Sequence, residues 1–122
     1  VAAYAALQGS WPQNPGSAES LEALRRIGEA ARAHEIRVVI ASHPNNISDP
    51  ALDEPRIRAL RALADEAQMR FVDAGPALLA HQAEDLAVSA TDRHPNGRGH
   101  ELIAEALLPA LRDALGCAGR SS

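Results

Sequence analysis

An aspartate and a histidine lie two residues apart in the short segment Thr91–Asn96. A histidine that takes a proton from a hydroxyl needs an acceptor at its other ring nitrogen, because that acceptor fixes the tautomer and stabilises the imidazolium. Asp92 is close enough in sequence to be this acceptor for His94. The pattern therefore indicates a general base, His94, with Asp92 as its orienting partner.

The residues that follow this pair are suited to hold it still. Pro95 limits the backbone after His94, and Asn96 is a good helix N-cap. Gly97 and Gly99 let the chain turn tightly into a helix. We predict this last helix from about Gly97 to Leu115, with Pro109 bending it and Gly116 ending it. Its predicted core face consists of Leu102, Ile103, Ala106, Leu107 and Leu111.

The sequence Asp-x-His-Pro-Asn-x-x-Gly-His, followed by Leu-Ile-Ala-Glu-x-Leu, occupies 92–107. It resembles the last conserved block of the SGNH (GDSL-type) hydrolases. The resemblance implies that His94 and Asp92 are the general base and orienting partner of a Ser-His-Asp triad. Many members of that family have two residues between the aspartate and the histidine, where this chain has one. The resemblance implies an ester hydrolase, of esterase or lipase type, that acts on small-molecule or carbohydrate-linked acyl esters without a cofactor.

The nucleophile that this resemblance requires has no convincing match. In the family the serine belongs to a Gly-Asp-Ser sequence after the first strand, and that tripeptide does not occur here. Gly9-Ser10 is the nearest candidate, but it lies in a proline- and glycine-rich stretch where Ser10 reads as a turn serine. Asn45-Asn46 is an equally weak match for the oxyanion-hole asparagine. We therefore expect the C-terminal part of a longer enzyme, or else a catalytically inactive remnant or binding module.

Helices and strands are predicted to alternate upstream of the aspartate–histidine segment. We predict a helix from an N-cap at Ser17 to about His34, a strand in Ile36–Ala41, a helix beginning near Pro55, a strand in Met69–Val72 and a short helix over Ala77–Gln82. The apolar stripes of the two long helices are predicted at Leu21, Leu24, Ile27 and Ala31, and at Ile57, Leu60, Leu63, Ala64 and Ala67.

This alternation implies right-handed crossovers and parallel strand pairing. The predicted fold class is α/β, a three-layer α/β/α sandwich with a parallel sheet of the SGNH or flavodoxin-like type, of which this chain forms the C-terminal part. We expect one domain over residues 1–122, with a loop-rich lead-in over 1–16 and a tail over 117–122. Two strands cannot cover the apolar stripes of four helices, so we expect exposed apolar surface and a missing N-terminal segment or self-association.

Composition gives no sign of a nucleic-acid or membrane partner. The chain is 46% apolar and 23% charged, with a net charge of −4, which does not favour binding to nucleic acid or to an anionic membrane.

No run is long enough to cross a bilayer, and the first residues lack the order of a signal peptide. The compartment stays open between cytoplasm and secretion. A single cysteine, Cys117, excludes an internal disulfide.

The remaining histidines have less specific interpretations. His34 and His81 are expected on the surface late in helices, and His100 is expected to pack on the first turn of the last helix. His43 and Asp73 each follow a predicted strand; His43 reads as a loop residue, and Asp73 as an acceptor for a neighbouring loop.

A metal site remains as an alternative. Asp92, His94 and His100 are acceptable zinc ligands, although their spacing matches no dedicated metal motif. No metal or other cofactor is assigned on this basis.

Overall fold

Helices and strands alternate in the computed structural model, which describes residues 15–44 and 53–116. The elements of these residues are α1 (Pro15–Ala33), β1 (Val39–Ser42), α2 (Glu54–Glu66), β2 (Arg70–Asp73), α3 (Gly75–Ala80) and α4 (Gly97–Ala114). The two strands pair with each other. Arg70 N donates to Val38 O, and Ala74 N donates to Ser42 O. The second donor and the second acceptor each lie four residues further along their own strand, so the two strands run parallel. The α/β class with a parallel sheet is thus confirmed.

Contacts within the chain divide it into two compact units. The first unit takes the described residues of Val1–Ile40 and Ala51–Phe71, and the second takes those of Ala41–Pro50 and Val72–Ser122. The boundary falls inside both strands, so each unit contains one half of each strand. The aspartate–histidine segment and the helix that follows it belong entirely to the second unit.

The first unit is built around α1 and α2. Its buried cluster consists of Leu63, Ala64, Ala67 and Met69, with Leu21, Leu24, Val38, Ile40 and Phe71 packed against it. Gly28 lets α1 approach closely, because a Cβ there would lie 3.1 Å from Ala67 Cβ and 3.1 Å from Met69 Sδ. The predicted inner face of α2 is confirmed for Leu60, Leu63, Ala64 and Ala67, all of which are buried.

The second unit is built around α3 and α4. Leu78, Leu86, Ala87 and Leu102 form its buried cluster, and Ile103 packs against it. Leu102 is 2% exposed and Ala110 is 4% exposed, so the inner face of α4 includes the alanine as well as the predicted leucine. The prediction that Leu111 lies on the core face is wrong, because its side chain is 40% exposed. The inward stripe of α4 passes through Ala110 instead.

Two predictions for α1 are wrong. The helix begins at Pro15, so Ser17 lies inside it and is not the N-cap, and the predicted lead-in over 1–16 overlaps its start. Proline is well suited to a first helical turn, where its missing N–H leaves no hydrogen bond unmade. Ile27 is 52% exposed, because the face that packs inward runs through Gly28 and Ala31.

The other boundaries shift by one or a few residues. β1 begins at Val39 rather than Ile36, which is 61% exposed, and β2 covers Arg70–Asp73. The short helix α3 begins at Gly75, two residues before the predicted start. Ala41 is exposed within β1, whereas Ser42 beside it is buried.

The ends of α1 and α2 are made without glycine. Glu35 and Gln68 adopt left-handed backbone with φ values of 56° and 57°. The residue after each of them donates its N–H back into the helix, Ile36 to Ala31 O and Met69 to Ala64 O. This is the Schellman arrangement, for which glycine is the usual residue. At the end of α4 glycine is present, since Gly116 has φ +72°, which confirms the predicted end.

Several large apolar side chains of the described residues are exposed. This agrees with the expectation that two strands cannot cover the apolar stripes of four helices. They are Ile27, Ile36, Leu79, Val88, Leu108, Leu111 and Leu115. Within residues 15–44 and 53–116, no helix combines the length and apolarity needed to span a bilayer.

Candidate functional site

Asp92 and His94 are in direct contact. The Nδ1 atom of His94 lies 2.6 Å from Oδ1 of Asp92. An ionised carboxylate can only accept a hydrogen bond, so Nδ1 carries the proton and donates it. In the neutral ring this leaves Nε2 as the acceptor. Such a ring can take a proton at Nε2 while the carboxylate stabilises the resulting imidazolium.

The spacing of one residue between the two side chains is explained by the local backbone. The same Oδ1 atom of Asp92 also accepts the backbone N–H of His94, at 3.1 Å. An aspartate that bonds the N–H two residues ahead forms an Asx-turn, a conformation that this side chain favours. The turn brings the imidazole back over the carboxylate. An Asp-x-His sequence can therefore form this pair.

A serine stabilises the turn from its other side. Ser89 Oγ accepts the backbone N–H groups of Thr91 and Asp92, at 3.3 and 2.9 Å, and the N–H of Ser89 donates to Asp92 O at 3.0 Å. These bonds close the segment 89–92 on itself. Ser89 was not predicted as a contributor, although a serine three residues before an aspartate is a local signal for such a turn.

The ring of His94 is open to solvent. Its side chain is 83% exposed, and that of Asp92 is 49% exposed. Among the described residues, no hydrogen bond reaches Nε2 of His94. A hydroxyl group brought by a substrate or by another segment can thus approach this atom without displacing a side chain.

The contact with His94 alters the titration of Asp92. The side-chain hydrogen bond from His94, and then the backbone hydrogen bond from the same residue, lower the pKa of Asp92 below its ordinary value. Both bonds stabilise the ionised carboxylate. Since the folded-state pKa is the lower one, Asp92 stabilises the fold above its ordinary pKa. That contribution is lost as the pH falls through the folded-state pKa.

This cause can be tested by removing the imidazole. In the His94→Ala variant we expect the pKa of Asp92 to rise toward its ordinary value. A ¹³C NMR titration of the Asp92 carboxyl carbon measures this pKa. His100→Ala is the matched control, because His100 is an exposed histidine in the first turn of α4. Equal Asp92 titrations in the two variants would contradict the role of His94 as the cause.

Asn96 joins the site to the helix. It is the N-cap of α4, as predicted, and its Oδ1 atom accepts the Gly99 N–H at 3.0 Å. Arg98 adds an ion pair with Glu84 at 2.8 Å and one with Glu101 at 3.1 Å. The hydrogen bond from Arg98 also lowers the pKa of Glu84. The ion pair between Arg98 and Glu84 thereby joins the first turn of α4 to the segment that precedes the Asp92–His94 turn.

The other predicted residues do not join this pair. His100 is exposed rather than packed on the first turn. His43 Nδ1 lies 3.0 Å from Pro44 O, and Asp73 Oδ1 accepts the Gly75 N–H of its own turn at 2.8 Å. His34 is exposed, whereas His81 caps α3 and places Nδ1 2.9 Å from the carbonyl oxygen four residues earlier.

The three predicted zinc ligands are not assembled into a metal site in the part of the chain that the structure describes. No group of three His, Cys, Asp or Glu side chains there is arranged to hold an ion, so Asp92, His94 and His100 do not form one. Ser10, Asn45-Asn46 and Cys117 lie outside the described residues, as do most of the predicted lead-in over 1–16 and the predicted tail over 117–122.

The site thus consists of a hydrogen-bonded aspartate and histidine on an Asx-turn, capped by Ser89 and continued into α4 by Asn96. Comparison of this chain with models of protein families, with curated proteins and with solved structures gives no match.

Proposed function

We propose that this chain supplies the histidine and aspartate of a Ser-His-Asp triad in a carboxylic ester hydrolase of the SGNH type. The observation that carries the proposal is the 2.6 Å contact between His94 Nδ1 and Asp92 Oδ1, in a histidine whose side chain is 83% exposed. This arrangement suits a general base more than a purely structural turn, because an Asx-turn needs only the backbone N–H and not the imidazole. The resemblance over 92–107 points to the same residues.

In the proposed reaction, a serine hydroxyl gives its proton to Nε2 of His94 as its oxygen attacks the ester carbonyl. Asp92 stabilises the imidazolium so formed. His94 then returns the proton to the leaving alcohol, and the acyl group stays on the serine. Water then attacks the acyl-serine while it gives a proton to the same ring. The acyl–oxygen bond to the serine breaks, His94 returns that proton to the serine oxygen, and the carboxylic acid is released.

The serine and the oxyanion-hole donors come from sequence outside these 122 residues in this proposal, because the chain contains no Gly-Asp-Ser. The same segment would complete the three-layer α/β/α sandwich, of which the two parallel strands and their helices are a part. Exposed apolar side chains such as Leu111 and Leu115 are compatible with further covering structure. The substrates are small-molecule or carbohydrate-linked acyl esters.

A second candidate is a fold that has lost its nucleophile and serves as an inactive remnant or a binding module. The missing Gly-Asp-Ser favours this candidate. The two candidates differ in one respect, the presence of an activated serine in the natural protein.

Fluorophosphonate labelling of the protein expressed from its natural gene tests this difference, with intact mass as the readout. An activated serine attacks phosphorus and expels fluoride, so it gains one phosphonyl group. We expect a single adduct that is lost in His94→Ala and kept in His100→Ala. Absence of an adduct would overturn the hydrolase proposal in favour of the second candidate, and an adduct that survives in His94→Ala would remove His94 from the triad.

A further inference from the structure

Asn96 makes more hydrogen bonds than helix capping requires. Its Nδ2 atom donates to Asp85 O at 2.7 Å and to Ala87 O at 3.1 Å. Its backbone N–H donates to Leu86 O at 2.8 Å, while Oδ1 accepts the Gly99 N–H at 3.0 Å. One residue thus binds three consecutive carbonyl groups on one side and the first turn of α4 on the other.

These bonds lie along a short antiparallel pairing. Ala87 and Pro95 form an isolated β-bridge, and Val88 N donates to His94 O at 2.9 Å. The segment 85–88 therefore runs alongside 94–96, with the amide of Asn96 at one end and the carbonyl of His94 at the other. The backbone of the candidate general base is a direct participant in this pairing.

The segment 85–88 is itself anchored in the core of the second unit. Leu86 and Ala87 are 4% and 2% exposed and pack with Leu78 and Leu102. His94, in contrast, has an 83% exposed side chain, so packing contributes little to its position. Its position relative to the core depends on the buried Pro95 beside it and on the hydrogen bonds that join 85–88 to 94–96.

We infer that Asn96 is the positioning residue of the Asp92–His94 pair, acting through the two hydrogen bonds donated by its Nδ2 atom. The amide locks the loop that carries the pair onto the buried segment 85–88, and this stabilises the turn in which the imidazole lies over the carboxylate. A role of Asn96 in catalysis rests on the proposed hydrolase function, whereas the positioning of the Asp92–His94 pair by Asn96 does not depend on that function.

Helix capping alone does not account for these contacts. The cap uses only Oδ1, and Asp or Ser would cap α4 about as well. The Asn amide donates two hydrogen bonds, whereas an ionised carboxylate donates none and a serine hydroxyl donates at most one. A substitution that keeps the cap and removes the donors separates the two roles.

Two variants of the protein expressed from its natural gene make this separation. Asn96→Asp keeps the shape and the capping oxygen but loses both donors, and a negative charge suits a helix N-terminus. Asn96→Ser keeps a capping oxygen without adding charge. Ala104→Gly is the matched control, because Ala104 is an exposed residue of α4 and glycine there weakens the helix away from the loop.

Two measurements report on the loop. The first is hydrogen exchange at the amides of Val88 and Asn96, which bond across the pairing. The second is the set of ¹⁵N chemical shifts of the His94 ring, which tell whether Nδ1 or Nε2 carries the proton in the neutral form. Helix destabilisation alone does not change the tautomer, so the second measurement distinguishes positioning from a merely structural role.

We expect both Asn96 variants to lose protection at Val88 by roughly tenfold relative to Ala104→Gly, as for the loss of a typical hydrogen bond. We also expect His94 to shift from the Nδ1–H tautomer toward the mixture of a free imidazole. Unchanged tautomer and exchange in both variants would overturn the inference, and so would a change in Asn96→Asp alone, which would indicate a charge effect. None of these readouts needs an active serine, so their outcome is independent of the labelling experiment.

Discussion

Replacing His94 with alanine lowers kcat of the proposed hydrolase on the order of 10⁵-fold or more, with a much smaller change in KM. The expected loss is large because the serine hydroxyl is a weak nucleophile unless a base takes its proton as it attacks. In the structure the only ring nitrogen of His94 that remains for this task is Nε2, because Nδ1 donates to Asp92 at 2.6 Å. Steady-state hydrolysis of a simple chromogenic ester by the protein from the natural gene measures the effect.

Asp92→Asn gives the companion result. The amide removes the charge that stabilises the imidazolium and favours the wrong ring tautomer, so we expect a fall in kcat of roughly 10⁴-fold. His100→Ala serves as the control with near-normal turnover. Near-normal kcat in His94→Ala would exclude His94 as the general base.

Replacing Gly99 with alanine destabilises the fold by about 1–3 kcal/mol, the usual range for overpacking a tight site. A Cβ at this position would lie 2.9 Å from Pro95 Cβ and 3.0 Å from Leu86 O. Neither atom can yield easily, because one belongs to a proline ring and the other to the backbone of a buried residue. The first turn of α4 must therefore move away from the loop that carries Asp92 and His94.

Gly97→Ala is the matched comparison. A Cβ at Gly97 meets nothing within 4 Å, although both glycines lie in the first turn of the same helix. Alanine also lowers the entropy of the unfolded chain, so Gly97→Ala should be neutral or stabilising by up to about 1 kcal/mol. Midpoints of urea unfolding for the two variants provide the test. Equal midpoints would mean that the close approach at Gly99 has no energetic weight.

Local signals in the sequence are sufficient to predict both ends of α4, the helix that follows the site. Asn96 caps α4, and Gly116 ends it with φ +72°. Both signals act through hydrogen bonds or backbone freedom within a few residues, so they can be read without knowing what packs nearby. The contact of Asp92 with His94 is of the same kind, since an Asx-turn is completed within three residues.

The same reasoning fails where a helix end has no residue that signals it. Glu35 and Gln68 adopt left-handed backbone that glycine usually supplies. Their neighbours Ala31, Ala64 and Ala67 are buried, which indicates that packing of α1 and α2 fixes these ends at a local backbone cost. The predicted inward face of α1 is also wrong at Ile27, because that face depends on how closely Gly28 approaches Ala67.

By itself, the sequence determined the α/β class, the inner face of α2, the cap and end of α4, and the pairing of Asp92 with His94, because each depends on periodicity or on bonds between near neighbours. Only the tertiary structure decided that the amide of Asn96 reaches the carbonyl groups of Asp85 and Ala87, and that Gly99 lies against Leu86 O. These contacts join residues 9 to 13 positions apart, on two segments that pair through their backbones. No local pattern encodes that pairing, because its partners are chosen by what the core of the second unit buries.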